Sequence, residues 1–472
     1  MTDEQARYRF GPLERRGLVA GWRGGQLVTV SVGLLLAVLV LRRHPSAGGV
    51  ILALGAVGLS VALATWPVAG RPAEQWAPDA VRHLHGTTAR RHHGSPPFAG
   101  LEVLRVDAGG DSVAVICDTR AGTYTGVVRA HGPGFVLTGA EDKTARVSAW
   151  AGALAALARP GSAVHRLQWT ARCLPDEKRQ LEDHWRTAAV LDPHSAPQRS
   201  YAALLEAEAR SSRAHEVLLS VTVDARGSGR VVRSAGGGRQ GACTVVLREV
   251  AWLRRQLSDA AIDSSGLLDP GELAEVVRAV SDAPASNGPG PDLPASERRR
   301  HACWPWPMAV QAEWGRARVD DTWHVTYWVA EWPRREVGPD FLGPLLLSGV
   351  RSSVAVVMEP LDAAEAARRA EQARTADLAD AELRRRGGFL STARRTREEE
   401  VVVRREHELA DGHAQYRFSG YVTVSAAGPD ELEDGCARIE QAAGRSGLEL
   451  RRCYGDQGRA FACTLPLGRG LP

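Results

Sequence analysis

Two uninterrupted apolar stretches, residues 24–41 and 48–66, stand near the start of the chain, parted by the short polar turn 42–47. Neither holds a charged side chain. Eighteen helical residues rise about 27 Å, close to the hydrocarbon thickness of a bilayer. The core helix of a soluble fold carries a polar stripe, whereas 27–41 offers only Thr29 and Ser31. A signal peptide ends in a small-residue cleavage site after one apolar core, and here a second core follows at once. The pattern predicts a transmembrane helical hairpin over 24–70, preceded by a polar leader, 1–23, and followed by a linker, 71–98, rich in Arg, His, Gly and Pro.

Beyond the linker the apolar period shortens. Alternating runs at 101–106, 112–118 and 123–130 predict strands parted by turn residues. Helical spacing over 141–158 stops at Pro160 and Gly161, and 164–172 returns as a strand. Helices are expected over 175–189 and 198–211, then a strand at 215–224 and a helix at 242–257. Asp269, Pro270 and Glu272 open a further helix that runs to about 280. These elements make a first α+β module, 99–280, closed by a Pro- and Gly-rich linker, 281–300.

A second module, 301–472, starts in a tryptophan cluster and continues with strands at 323–332 and 352–358 and a short helical segment at 341–347. An Ala-, Glu- and Arg-rich helical arm, 362–409, breaks at Gly387 and Gly388. Strand 415–425, helix 429–444 and strands 448–454 and 459–465 follow. The fold class is therefore α+β, a transmembrane hairpin before two cytoplasmic modules with antiparallel, ferredoxin-like sheets.

Charge sets the orientation. Arg7, Arg9, Arg15, Arg16 and Arg23 precede the first apolar run, and Arg71, Arg82, Arg90 and Arg91 follow the second, against Arg42 and Arg43 in the turn. The positive-inside rule then places both termini and both modules in the cytoplasm, on a two-pass anchor in the inner cell membrane. Seven cysteines without a CxxC spacing fit a reducing compartment. A net charge of +4 over 472 residues is too mild for a nucleic-acid binder, and direct nucleic-acid contact is not expected. Of the 59 basic side chains all but Lys143 and Lys178 are arginine, a bias of GC-rich actinobacterial composition rather than of arginine chemistry.

Candidate chemistry is sparse. Gly236, Gly238 and Gly241 fit GxGxxG ahead of a helix, yet 228–234 before them carries Arg230 and Arg233 and lacks the apolar run of a buried parallel strand, so a loop or hairpin is the plainer reading. His83, His85, His92 and His93 lie in the linker, which cannot hold ligands at fixed geometry. His407 and His413 are six apart rather than four, which excludes the zinc-protease helix that Glu408 suggests. GxxxxGK[ST] is absent, because neither lysine follows a glycine. No catalytic, cofactor-binding or metal-binding residue is assigned, no cofactor is expected, and the chain reads as a non-enzyme. The residues assigned to partner binding are Trp323, Trp328 and Trp332 on the bulky strand and Phe389 in the arm.

Tyr416, Phe418, Gly420 to Val424, Leu432, Glu440, Leu448 to Arg452, Ala460, Phe461 and the closing Leu465 to Gly468 resemble the end of the N-terminal domain of VirB-type conjugation ATPases, a likeness over 314–468. The hairpin and its leader are similar to the two-helix PrgI-like subunits of the same machines. Together they resemble an actinobacterial membrane family of conjugation and type IV secretion-like loci, without the NTPase domain. That resemblance implies a structural docking component that anchors a separate VirB-type ATPase, contacts other membrane secretion subunits and forms a homo-oligomer. Two alternatives stay open: an EccE-like membrane subunit of type VII secretion, which also has two helices before a cytoplasmic domain, and a nucleotide-dependent membrane enzyme working through Gly236 to Gly241. The C-terminal strand pattern speaks against the former.

Overall fold

In a computed structural model, the structure describes residues 24–65, 67–68, 71–72, 97–131, 139–159, 161–175, 195–196, 200, 213–281, 306–362, 365–366, 368, 371–372, 374–375 and 414–470. Helices α1, Gly24–Arg43, and α2, Ala47–Thr65, are joined by a turn in which Gly49 N donates to Ser46 Oγ (3.3 Å). They run antiparallel at close range. A Cβ placed on Gly33 would fall 2.4 Å from Ser60 Cβ, and one on Gly49 would fall 1.9 Å from His44 O. Ala37, Ala53 and Ala64 are buried, while Leu35, Leu39, Ile51 and Leu54 face outward. Among the described residues one helix, Ala47–Ala64, is long and apolar enough to cross a membrane, where the sequence predicted two. A two-residue pair, β1 (Pro67–Val68) with β2 (Arg71–Pro72), follows.

Among the described residues, twelve strands then form one antiparallel sheet. In chain order β3 is Leu101–Ala108, β4 Asp111–Asp118, β5 Thr123–His131, β6 Val164–Pro175, β7 Arg213–Asp224 and β8 Asp263–Leu267. They are followed by β9 Val310–Ala312, β10 Ala317–Val319, β11 Thr322–Glu331, β12 Ser352–Pro360, β13 Tyr416–Ala426 and β14 Glu449–Arg452. The helices between them are α3 (Ala140–Leu157), α4 (Gly229–Ser234), α5 (Gly238–Asp259), α6 (Pro270–Ser281), α7 (Gly343–Leu346), α8 (Pro429–Arg445) and α9 (Gln457–Ala462).

The strand order β3-β4-β5-β7-β6-β12-β13-β11-β10-β9 has the same plan from either end. Its first half contains the unit β5-α3-β6-β7-α5-β8, its second the unit β11-α7-β12-β13-α8-β14. Each takes the ferredoxin-like order, last strand beside the first, then third, then second. Even irregularities repeat: β8 joins β5 across a register shift at Val128/Ala130, and β14 joins β11 across one at Val329/Glu331. The halves meet where β6 pairs antiparallel with β12, Trp169 opposite Val356. Because equivalent strands meet antiparallel, the relation between the halves is a pseudo-two-fold axis perpendicular to the sheet. Both sets of crossover helices therefore lie on one face.

Alternation along the strands sorts the side chains. On the helix-covered face, Val115, Val128, Leu167 and Val221 pack with Val246, Val250 and Leu253 of α5. Val325, Tyr327, Val354, Val422 and Val424 pack with Leu432, Cys436 and Ile439 of α8. Trp169 touches both clusters and so bridges the halves. On the opposite face, α6, α9 and the segment 463–470 cover Ile116, Val127 and Leu218 with Leu273, Val277, Phe461, Leu465 and Leu467.

Two local readings need correction. Residues 459–465 form no strand: α9 occupies Gln457–Ala462, its Ala460 N bonded to Asp456 O (2.9 Å), because the Ala-rich run lacks the β-branched side chains a strand favours. The loop or hairpin expected at Gly236 to Gly241 is confined to a short turn: helix α4, Gly229–Ser234, precedes it and α5 starts at Gly238. The expected helices at 175–189 and 198–211, most of the arm 362–409, Phe389, the linker histidines and His407 to His413 lie outside the described residues.

Candidate functional site

The face under the C-terminal segment is unusually polar for a sheet interior. Thr125 on β5 bonds Thr222 on β7 (2.9 Å), and the equivalent Thr326 on β11 bonds Thr423 on β13 (2.8 Å). Both pairs are 97 residues apart, a chemical echo of the repeated unit. Thr423 bonds onward to Thr464 (2.9 Å). Gln168, fully buried on β6, donates to Leu465 O (2.8 Å) and Cys463 O (3.1 Å) and accepts from Gly468 N (2.7 Å). Tyr421 donates to Gly470 O, and Arg469 reaches Asp118 and Pro97 O. Since 463–470 thus bonds strands of both halves, it acts as a clasp across the seam.

Charges are enclosed nearby. Glu216 accepts from Arg129 (2.5 Å) and Arg172, and Arg172 also caps Val276 O of α6. Burial alone would raise the Glu216 carboxyl, but the Arg172 and Arg129 guanidiniums outweigh it and hold it below the usual range. Asp118 is held low in the same way, burial being overcome by the Ala121 N–H and Arg469. His324 is fully buried on β11, its Nδ1 bonded to Ser425 Oγ (2.9 Å) and its ring 4.5 Å from that of Phe461. Burial, aided by the charge of Arg351, pushes its pKa down to about 3, so the ring is neutral.

The tryptophans assigned to partner binding are not brought together. Trp323 lies at the start of β11 on the helix-covered face, half-buried beneath Arg316 (4.6 Å) and Arg318 (5.8 Å). Trp328 points to the other face, where Nε1 donates to Ser419 Oγ (3.1 Å). Trp332, past the register shift, packs edge-on against Phe418 (5.3 Å) and Phe341 (6.5 Å). With Phe418 exposed, this last group is an apolar patch on the second half. Sequence reasoning missed Phe341 and Phe418, which are remote in the chain and meet on the ring of Trp332 only in the folded sheet.

The glycines of the GxGxxG match serve a helix–turn–helix. Gly236, Gly237 and Gly238 have φ of 109°, 71° and 56°, which turns α4 into α5, and a Cβ on Gly241 would fall 2.5 Å from Val232 O. A helix, not a strand, precedes them, which is the wrong context for a dinucleotide fold.

Residues 211–329 match the family model described as EccE, putative type VII ESX secretion system translocon. The matched stretch runs from β7 through α6 and on to β11, so it crosses from the first repeated unit into the second. A secretion-system membrane component is what this match supports, of type VII rather than type IV, and the likeness to VirB-type ATPases finds no support in it. No curated protein matches the chain.

Proposed function

We propose that the chain is a non-catalytic membrane subunit of a type VII ESX secretion apparatus, tethered by α1 and α2 with the duplicated sheet at the cytoplasmic face. The observation that carries this reading is the translocon-family match across 211–329, on a body joined to a tightly packed apolar hairpin. α1 supports the second crossing, because Leu34, Leu35, Leu36 and Leu39 are exposed around it and Gly33 seats it on α2. The arginines flanking the hairpin set the body inside. Its work is positional: the Trp332–Phe341–Phe418 patch is the surface offered to neighbouring membrane subunits or to further copies of the chain.

The topology is tested by an impermeant maleimide on intact cells. Ser46→Cys, in the α1–α2 turn, is expected to label from outside, and Ala121→Cys, in the β4–β5 turn, only after lysis. Labelling of Ala121→Cys in intact cells, or silence at Ser46→Cys, overturns the two-pass arrangement. Crosslinked membranes tested in parallel are expected to yield type VII membrane subunits with the chain, in amounts reduced by Phe418→Asp.

A further inference from the structure

The chain enters its sheet body at one end of the first half. Pro97 to Gly100 are bound there: Arg469 donates to Pro97 O, and Thr119 of the β4–β5 turn donates to Gly100 O through both N and Oγ1 (2.9 Å each). β7 ends beside that turn, Asp224 opposite Thr123, and α4 and the start of α5 follow it. The corner of the body that follows the hairpin linker is therefore built from the β4–β5 turn, the β7–α4 loop, α4 and the first turn of α5.

Positive charge gathers at this corner. Over the whole chain 59 basic side chains nearly balance 55 acidic ones, yet residues 225–248 hold five arginines and no acid. Arg226 lies over the β4–β5 turn, its Nη2 donating to Arg120 O (3.3 Å). Gly122, with φ of 75°, leaves it room, since a Cβ there would fall 2.8 Å from Arg226 Nε. Arg230 and Arg233 are exposed on α4. The three acids of the corner are each engaged: Glu102 by Arg239 (2.8 Å), Asp118 by Arg469 and by the Arg120 and Ala121 N–H groups (3.0 Å each), and Asp224 by the Arg226 N–H (2.8 Å). Arg120, Arg226, Arg230 and Arg233 have no carboxylate partner among the described residues, so six arginines face three carboxylates. Further along α5, buried Glu249 sits between Arg159 (2.9 Å) and Arg248 (3.1 Å), which adds to the excess. No large apolar side chain is exposed among the described residues of the corner. The α4–α5 turn is open, for a Cβ on Gly236, Gly237 or Gly238 would meet nothing within 4 Å.

We propose that this corner rests on the headgroups of anionic phospholipids in the same membrane, whose phosphates supply the counter-charges the arginines lack. The inference rests on the tether proposed above, which returns this end of the body to the bilayer and lets a weak electrostatic contact suffice. A protein partner is anchored by buried apolar side chains, and an exposed surface of arginine, glycine and serine offers none, whereas a fluid array of headgroups needs only charge.

The test places the full chain in nanodiscs of phosphatidylcholine alone or of an equimolar mixture with phosphatidylglycerol, an acceptor dye being carried on some headgroups. A donor dye on Ala121→Cys reads the corner and one on Asp111→Cys the far end of β4, each against the labelled parent chain. Energy transfer from Ala121→Cys is expected to rise in the anionic discs, and by more than from Asp111→Cys. That rise is expected to be lost at about 1 M salt, where the Debye length is about 3 Å, and in the triple variant Arg226→Glu, Arg230→Glu, Arg233→Glu. It is expected to be kept in Arg226→Lys, Arg230→Lys, Arg233→Lys, which preserves the charge. Equal transfer in the two discs, or a rise that survives the glutamate variant in chain that retains its circular dichroism spectrum, overturns the docking and leaves the arginines to an acidic protein. Failure of the chain to co-elute with the discs overturns the tether, and the docking with it.

Discussion

His324 shows what a single buried side chain does to stability. Its imidazole stays neutral in the fold down to about pH 3, whereas an unfolded histidine titrates near 6.5. Below pH 6.5 the unfolded chain therefore binds a proton that the folded chain refuses, and stability falls as the pH drops. One such group costs roughly 1.4 kcal/mol per pH unit in that window. Asp118 and Glu216, both held low, act with the same sign, but their contribution is lost only below about pH 4, where unfolded carboxylates take up protons. His165, also lowered by burial, adds to the slope above that, so the variant must be compared with the parent. Urea titrations between pH 6.5 and 4.5 are expected to show a shallower pH dependence in His324→Asn by about one proton; equal slopes would refute the burial argument.

At the scale of elements, the hairpin makes a sharp contrast between glycines. Gly33 faces Ser60 with no room for a Cβ, while a Cβ on Gly55 would meet nothing within 4 Å. Gly33→Leu is therefore expected to force α1 off α2 at a cost of about 2 kcal/mol, and Gly55→Leu to be close to neutral. Resistance of the purified chain to unfolding in SDS measures both, and equal losses would mean that α1 and α2 pack through another face. The helix α6 illustrates the opposite case, a local signal sufficient by itself. Asp269 Oδ1 accepts from Gly271 N (2.6 Å) and Glu272 N (2.8 Å), while Glu272 returns a bond to Asp269 N, the reciprocal cap that the Asp-Pro-Gly-Glu run foretells.

Across the whole molecule, the two repeated units share one sheet, one clasp and one bridging tryptophan. The β6–β12 register runs from Ser352↔Cys173 to Met358↔Leu167, and α6 of the first half is held at its end by Arg351 and Thr322 of the second. Calorimetry of the detergent-solubilised chain is thus expected to give one cooperative transition for the sheet body. Two separated transitions would show that the seam does not couple the halves.

Local chemistry made much of this legible. The strands at 112–118, 123–130 and 215–224 and the helices opened by Asp269 and by Pro429 follow from alternation and capping, which act over a few residues. The apolar runs at 24–41 and 48–66 follow from the absence of charge. The sequence itself speaks against the Gly236 to Gly241 match on context, and a six-residue helix does stand where a strand would be needed. What the sequence could not reveal is anything that depends on pairing between distant strands: the pseudo-two-fold plan, the parting of Trp323, Trp328 and Trp332, and the Trp332–Phe418 contact. Propensity and period decide which way a side chain points on its own strand. Which strand lies beside it is decided by burial summed over the whole sheet, and only the tertiary structure holds that sum.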